Sequence, residues 1–190
     1  GTGGRIDVES LSDWQRVIDI NLLGVVRGCQ TFTPILKQQR SGHIVNTASL
    51  AGLIHGPGMS SYNAAKAGVV ALSETLRFEL APWDIKVSAI CPAFFRTNLH
   101  QSLQGKDVAM EETAVQLITK AGMSADEVAA TVIKGIDANR AIILTDRQGH
   151  VATFAKRYVR PAYNRWGMKG GARLANRRVG AKAPREGSEA

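Results

Sequence analysis

The sequence predicts an α/β protein with a parallel β-sheet. Three short apolar runs, rich in β-branched residues, have the composition of buried parallel strands and span residues 44–48, 85–91 and 141–145. Longer segments whose apolar residues repeat at helical spacing lie between them. The resulting order of strand, helix, strand, helix, strand is typical of parallel strands joined by right-handed crossover helices.

The first predicted helix covers residues 12–38 and precedes the first strand. Ser10 or Ser12 is expected to cap it, because each has a carboxylate or amide side chain three residues later in the capping-box position. Apolar side chains then repeat at helical spacing. Pro34 and Gly42 mark the end of the helix.

Further helices connect the strands. Residues 61–81 follow a pair of serines at 60–61 that can cap them, and residues 125–139 begin at the Ser124 capping box. A shorter helix is expected near 111–121. Each of these segments is long enough to cross one face of a sheet.

The stretch from Ser49 to Lys66 carries the chemistry. Ser49 follows the first predicted strand, and Tyr62 stands four positions before Lys66 at the start of a helix. Because one helical turn brings positions i and i+4 to the same face, the phenol and the ammonium are expected to be neighbours. A nearby cation lowers the pKa of a phenol from about 10. Tyr62 would then exchange a proton with a carbonyl or carbinol oxygen near neutral pH, while the Ser49 hydroxyl holds that oxygen.

These residues resemble the short-chain dehydrogenase/reductases, which move a hydride between NAD(P) and a carbonyl or alcohol. The resemblance covers most of residues 1–146. It rests on Ser49, the Y-x-x-x-K pair, Asn21 in an N-x-x-G context and the segment 92–97. It implies a Rossmann-like doubly wound parallel sheet and NAD or NADP as the cofactor.

Four side chains match the catalytic set of that family: Asn21, Ser49, Tyr62 and Lys66. The resemblance makes Tyr62 the general acid or base. Lys66 lowers the pKa of Tyr62 and binds the nicotinamide ribose. Ser49 orients the substrate oxygen, and Asn21 holds a water that links Lys66 to solvent. It also assigns cofactor contacts to Tyr62, Lys66, Pro92 and Thr97.

One residue departs from the family's P-G-x-x-x-T pattern, since Ala93 stands where glycine is usual. If that position needed a positive φ, alanine there would cost about 1 kcal/mol.

The family's cofactor-binding N-terminal half is absent from the sequence. No glycine-rich phosphate-binding turn follows a predicted strand, and Gly1 matches the end of the family's fourth strand. Residues 1–150 are therefore expected to hold the last three strands and the catalytic site. The chain as given is expected to bind a dinucleotide poorly and to be inactive. We expect that the given sequence is a fragment of a longer protein, with a naturally shortened protein as the alternative.

The expected substrate is a small carbonyl or alcohol with an apolar face. Leu53, Ile54, Phe94, Phe95 and Leu99 fall in the segments that line the family's pocket. The loop histidines are expected to be solvated, and the scattered histidines and cysteines predict no metal site. The resemblance also implies a homo-oligomer.

Charged residues are distributed unevenly along the chain. The net charge is +8, yet residues 1–146 hold 13 basic and 14 acidic side chains, so residues 147–190 carry the excess. Residues 151–190 are predicted to be a basic, aromatic C-terminal extension, disordered from about Gly170. A helix packed on the body, peripheral contact with an anionic membrane, and a protein or nucleic-acid partner are alternatives for it, with nucleic acid not expected.

Two broader expectations follow from composition. Two cysteines in apolar settings, no signal peptide and no long apolar run favour a reduced, cytoplasmic protein. The alternative to an oxidoreductase is a non-catalytic interaction protein that retains the fold and binds through its basic extension.

Overall fold

The computed structural model describes residues 4–99 and 107–176. The strands within these residues are β1 (Gly42–Thr47), β2 (Ile85–Cys91) and β3 (Ile142–Leu144), and the α-helices are α1 (Leu11–Ile18), α2 (Gly24–Gln39), α3 (Ser60–Leu80), α4 (Val108–Thr119), α5 (Ala125–Asp137), α6 (Arg147–Tyr158) and α7 (Arg160–Ala175).

The three strands form one parallel sheet in the order β1-β2-β3. Gly42 is in register with Ile85, and Ala89 with Ile142. The predicted strands, their parallel pairing and the α/β fold class are therefore confirmed.

The core lies on the central strand β2. Val87, Ala89 and Cys91 are each at most 1% exposed, and Val69 and Val70 of α3 pack in the same cluster as the last two. The side chains of β2 alternate between the two faces of the sheet, and five of its seven residues are buried. Both faces of this strand are therefore covered. Burial of this kind explains the almost uninterrupted apolar run in the sequence.

The helix predicted over 12–38 is present, but it is not regular throughout. A π-helical turn over Asp19–Leu23 separates α1 from α2. The expectation that Pro34 helps to end the helix is wrong, because α2 continues through it to Gln39. Pro34 has no N–H to donate to the Gln30 carbonyl one turn earlier. Both residues are exposed, so water can donate to that carbonyl instead.

The start of α3 differs from the expectation of a serine cap. Its N-cap is Met59, which makes no side-chain capping bond. Ser61 instead donates to the Glu9 carboxylate at 2.7 Å, so its hydroxyl is engaged in a long-range contact. The capping boxes at Ser10 and Ser124 form as predicted.

The C-terminal extension is helical through Ala175, so the expected onset of disorder near Gly170 is wrong. Gly170 lies against Pro57, since a Cβ added to it would be 3.2 Å from the proline ring. Leu174 similarly reaches Gly58. Packing on the 50–59 loop therefore keeps this glycine-rich segment helical. Among the described residues, no helix is long and apolar enough to cross a membrane.

Candidate active site

Ser49 lies just beyond the carboxyl end of β1, where ligand sites form in parallel α/β sheets. Its backbone is extended, and its hydroxyl accepts from the Ala51 N–H at 3.2 Å. The next residue, Leu50, donates its N–H to the Pro92 carbonyl at 2.9 Å. Ser49 is therefore held between the ends of β1 and β2.

The structure brings Tyr62 and Lys66 of α3 to the same place. The Ser49 hydroxyl is near enough to the Tyr62 phenol to act on its pKa, and the Lys66 Nζ lies 5.7 Å from the centre of the Tyr62 ring. Lys66 is buried and donates to the Thr47 carbonyl at 3.0 Å. The three side chains thus converge on the carboxyl edge of β1.

The electrostatics of the pair differ from the sequence-based expectation. Burial raises the pKa of Tyr62 above its usual value, and the hydrogen bond from Ser49 only partly opposes that shift. Burial also lowers the pKa of Lys66. The Lys66 ammonium donates to the Thr47 carbonyl, and burial has the larger effect on the pKa of Tyr62.

The loop between Ser49 and Tyr62 is tied to α3 by close backbone packing. A Cβ added to Gly52 would lie 2.5 Å from the Lys66 carbonyl oxygen. The buried Asn63 side chain donates to the Gly56 carbonyl at 2.9 Å. Asn63 was not singled out from the sequence, because an asparagine in a first helical turn carries no distinct signal before its partner is known.

Asn21 lies in the π-helical turn, half-buried. The adjacent Leu22 packs on Gly68 of α3, 3.0 Å from where a Cβ would stand. π-turns are uncommon and frequently mark functional sites. The segment that carries Asn21 therefore packs on the helix that carries Tyr62 and Lys66.

The predicted cofactor segment begins where β2 ends. Pro92 follows Cys91 directly, and Thr97 accepts from the Leu99 N–H at 2.8 Å. Ala93 is not among the residues with positive φ, so the strain considered for it does not arise. His100, one of the loop histidines expected to be solvated, lies outside the described residues.

Helices α6 and α7 are hydrogen-bonded to the loop that follows Ser49. The Tyr163 hydroxyl accepts from the His55 N–H at 2.9 Å, and Lys156 donates to the Leu53 carbonyl. These contacts join residues more than a hundred positions apart. No local pattern could have revealed them.

The family follows from comparison with known proteins. The model of the short chain dehydrogenase family matches residues 2–107. This chain belongs to the short-chain dehydrogenase family.

Individual relatives agree with that assignment. The chain is 38% identical over 121 residues to the 3-oxoacyl-[acyl-carrier-protein] reductase FabG of Thermotoga maritima, covering 64% of this chain and 48% of the reductase. It spans about half the length of the curated relatives that it matches.

Two solved structures share the fold. A short-chain dehydrogenase/reductase from Burkholderia phymatum in complex with NAD is 28% identical with a TM-score of 0.76, over 96% of this chain and 66% of the other. A Sphingobium yanoikuyae short-chain dehydrogenase in complex with NADPH is 27% identical with a TM-score of 0.66, over 97% and 65%.

Proposed function

We propose that this chain carries the catalytic half of an NAD(P)-dependent oxidoreductase that transfers a hydride between the cofactor and a carbonyl or alcohol. The observation that supports this most strongly is the convergence of Ser49, Tyr62 and Lys66 at the carboxyl end of β1, with the Lys66 Nζ 5.7 Å from the centre of the Tyr62 ring. A scaffold used only for binding has no need of a half-buried phenol beside a buried lysine.

Tyr62 is the general acid in carbonyl reduction. Because burial raises the pKa of Tyr62, the phenol is protonated at neutral pH and can donate to the oxygen of a carbonyl as negative charge develops there. Ser49 donates a second hydrogen bond to the same oxygen and fixes its position. In the reverse direction, Tyr62 accepts the proton of the alcohol.

The residues present fit the nicotinamide-ribose end of a dinucleotide. An ammonium has three donors, and the described residues provide Lys66 with one hydrogen-bond acceptor, the Thr47 carbonyl. The remaining donors suit ribose hydroxyls. The sequence holds no glycine-rich turn for the pyrophosphate, so the described residues fit one end of the cofactor. When bound, NAD(P) supplies or accepts the hydride.

The supporting residues have narrower parts in the proposal. Asn21 holds a water through which Lys66 exchanges protons with solvent. Pro92 and Thr97 contact the nicotinamide, as their place after β2 suggests. Leu53, half-buried on the loop after Ser49, and the 44%-exposed Phe94 offer an apolar face to the substrate. We also propose that the protein forms a homo-oligomer and is located in the cytoplasm.

The test is turnover by the full-length protein with a panel of apolar ketones, aldehydes and alcohols. Oxidation of NADH or NADPH that requires a carbonyl, or the reverse reaction with an alcohol, is the expected result. A full-length protein that binds either cofactor yet turns over no member of the panel would favour the non-catalytic interaction protein instead.

A second function of the C-terminal extension is favoured by its exposed rings. Phe154, Tyr158 and Trp166 are more than half exposed and alternate with cations along α6 and α7. Aromatic side chains with basic neighbours suit an anionic membrane surface. Co-sedimentation with phosphatidylserine vesicles that weakens with salt would support peripheral contact, and equal sedimentation with neutral vesicles would contradict it.

A further inference from the structure

A cleft lies between the loop after Ser49 and helix α6. Its volume is about 410 Å³, and its lining is formed by Leu53, Thr153, Lys156, Arg157 and Arg160. Three of these five side chains are cationic. The hydride transfer proposed above does not use these cations.

These cations have no carboxylate partner within the described residues. The ion pairs found there join Arg5 with Asp107 and Arg27 with Asp19, at other places in the fold. The cleft therefore has a local excess of positive charge that the rest of the described chain does not neutralise.

Two of the cations lie close to each other and to His55. The Lys156 Nζ is 3.3 Å from the His55 ring. The pKa of His55 is lowered by burial and then by the charges of Lys156 and Arg160, which favours the neutral ring. The pKa of Lys156 is lowered by burial and then by the charge of Arg160. The charges of Lys156 and Arg160 destabilise each other, and a bound anion would relieve that repulsion.

The cleft wall is anchored to the protein. Lys156 donates to the Leu53 carbonyl, and the His55 N–H donates to the Tyr163 hydroxyl at 2.9 Å. One side of the cleft is therefore fixed before any ligand arrives, which reduces the entropy lost on binding.

The same loop connects the cleft with the catalytic serine. A single 3₁₀ turn, Leu50–Gly52, separates Ser49 from Leu53, and Leu53 also packs on the core cluster formed with β2 and α3. The loop therefore runs directly from Ser49 to a residue of the cleft lining.

We propose that the cleft binds an anionic group at the far end of the substrate, a carboxylate or a phosphate carried on an apolar body. This inference deepens the proposed function. The identification of the ligand as the substrate rests on that function. The apolar part lies against Leu53, and the anion is held by Arg157, Arg160 and Lys156. Guanidinium groups suit both anions because their paired N–H donors match carboxylate and phosphate oxygens.

The test is equilibrium binding to the full-length protein without turnover. It measures the affinity of the cleft for a ligand even if the proposed reaction is wrong. Octanoate, octyl phosphate and octanol are titrated against wild type and against the double variant Arg157→Gln/Arg160→Gln. Arg165→Gln, an exposed change on α7 outside the cleft lining, controls for the loss of general positive charge.

At least one anionic ligand is expected to bind better than octanol, and its affinity should fall about tenfold in the double variant while Arg165→Gln changes it little. Preference for octanoate identifies a carboxylate substrate, and preference for octyl phosphate identifies a phosphate. Octanol binding as tightly as both anions, or anion binding unchanged in the double variant, would overturn the proposal. So would phosphatidylserine vesicle binding that needs Arg157 and Arg160 when octanoate and octyl phosphate binding does not.

Discussion

Replacing Gly52 with alanine tests whether the loop between Ser49 and Tyr62 must lie directly on α3. The added Cβ would be 2.5 Å from the Lys66 carbonyl oxygen, 2.7 Å from its carbonyl carbon and 3.1 Å from the Ala67 nitrogen. All three atoms belong to helix backbone, so no flexible side chain can yield. The loop must move away from the helix.

The expected cost combines two opposing effects. Overpacking in a buried position typically costs about 1–3 kcal/mol, and Gly→Ala returns about 0.4–1 kcal/mol by restricting the unfolded chain. A net loss of about 1–2 kcal/mol in the free energy of unfolding follows. Because Ser49 and Tyr62 lie at the two ends of this loop, a shift of about 1 Å would lower turnover about 10²-fold.

Gly56 provides a matched control in the same loop. A Cβ there meets nothing within 4 Å, and neither glycine has a positive φ. Gly56→Ala should therefore be neutral or slightly stabilising and keep full turnover. Urea unfolding and steady-state kinetics of the full-length protein measure both effects. If Gly52→Ala matched Gly56→Ala in both, the close approach described here would be refuted.

Two further predictions concern buried titratable groups. Burial alone would raise the pKa of Asp107, but hydrogen bonds from Arg5 outweigh it and lower that pKa. The stabilisation is therefore present above about pH 4 and lost as pH falls through the lowered pKa. Asp107→Asn should lower the free energy of unfolding at neutral pH and flatten its decline in acid; parallel curves for both proteins would contradict this. Burial raises the pKa of Cys91 to about 12, so iodoacetamide should alkylate it only after unfolding; labelling of native protein at the unfolded rate would contradict that burial.

The sheet and the placement of Lys66 beside Tyr62 could be predicted because their signals are local. The β-branched run around Val87 predicts a buried strand whatever lies elsewhere. The spacing of Tyr62 and Lys66 places them on one helix face by geometry alone. The same reasoning misjudged the pKa of Tyr62, since burial and the direction of the Lys66 ammonium depend on β1 and its Thr47 carbonyl.

Other features could not be predicted because they depend on distant residues or on solvent. The π-turn around Asn21 has no sequence pattern of its own. Pro34 remains inside a helix because that face is exposed to water. The C-terminal extension is rich in glycine and arginine, which favours disorder when judged alone. Contacts such as that of Gly170 with Pro57 hold its residues in helix as far as Ala175, and they appear only when the chain is folded.

The central claim is that Tyr62 supplies the proton in a short-chain dehydrogenase reaction. The most direct measurement is the turnover of full-length Tyr62→Phe with NADH or NADPH and its best carbonyl substrate. Tyr158→Phe, which changes a 64%-exposed phenol, is the matched control. Loss of the Tyr62 hydroxyl is predicted to lower kcat about 10²–10⁴-fold, with Tyr158→Phe near wild type. A Tyr62→Phe enzyme whose kcat equals that of the control would contradict the claim.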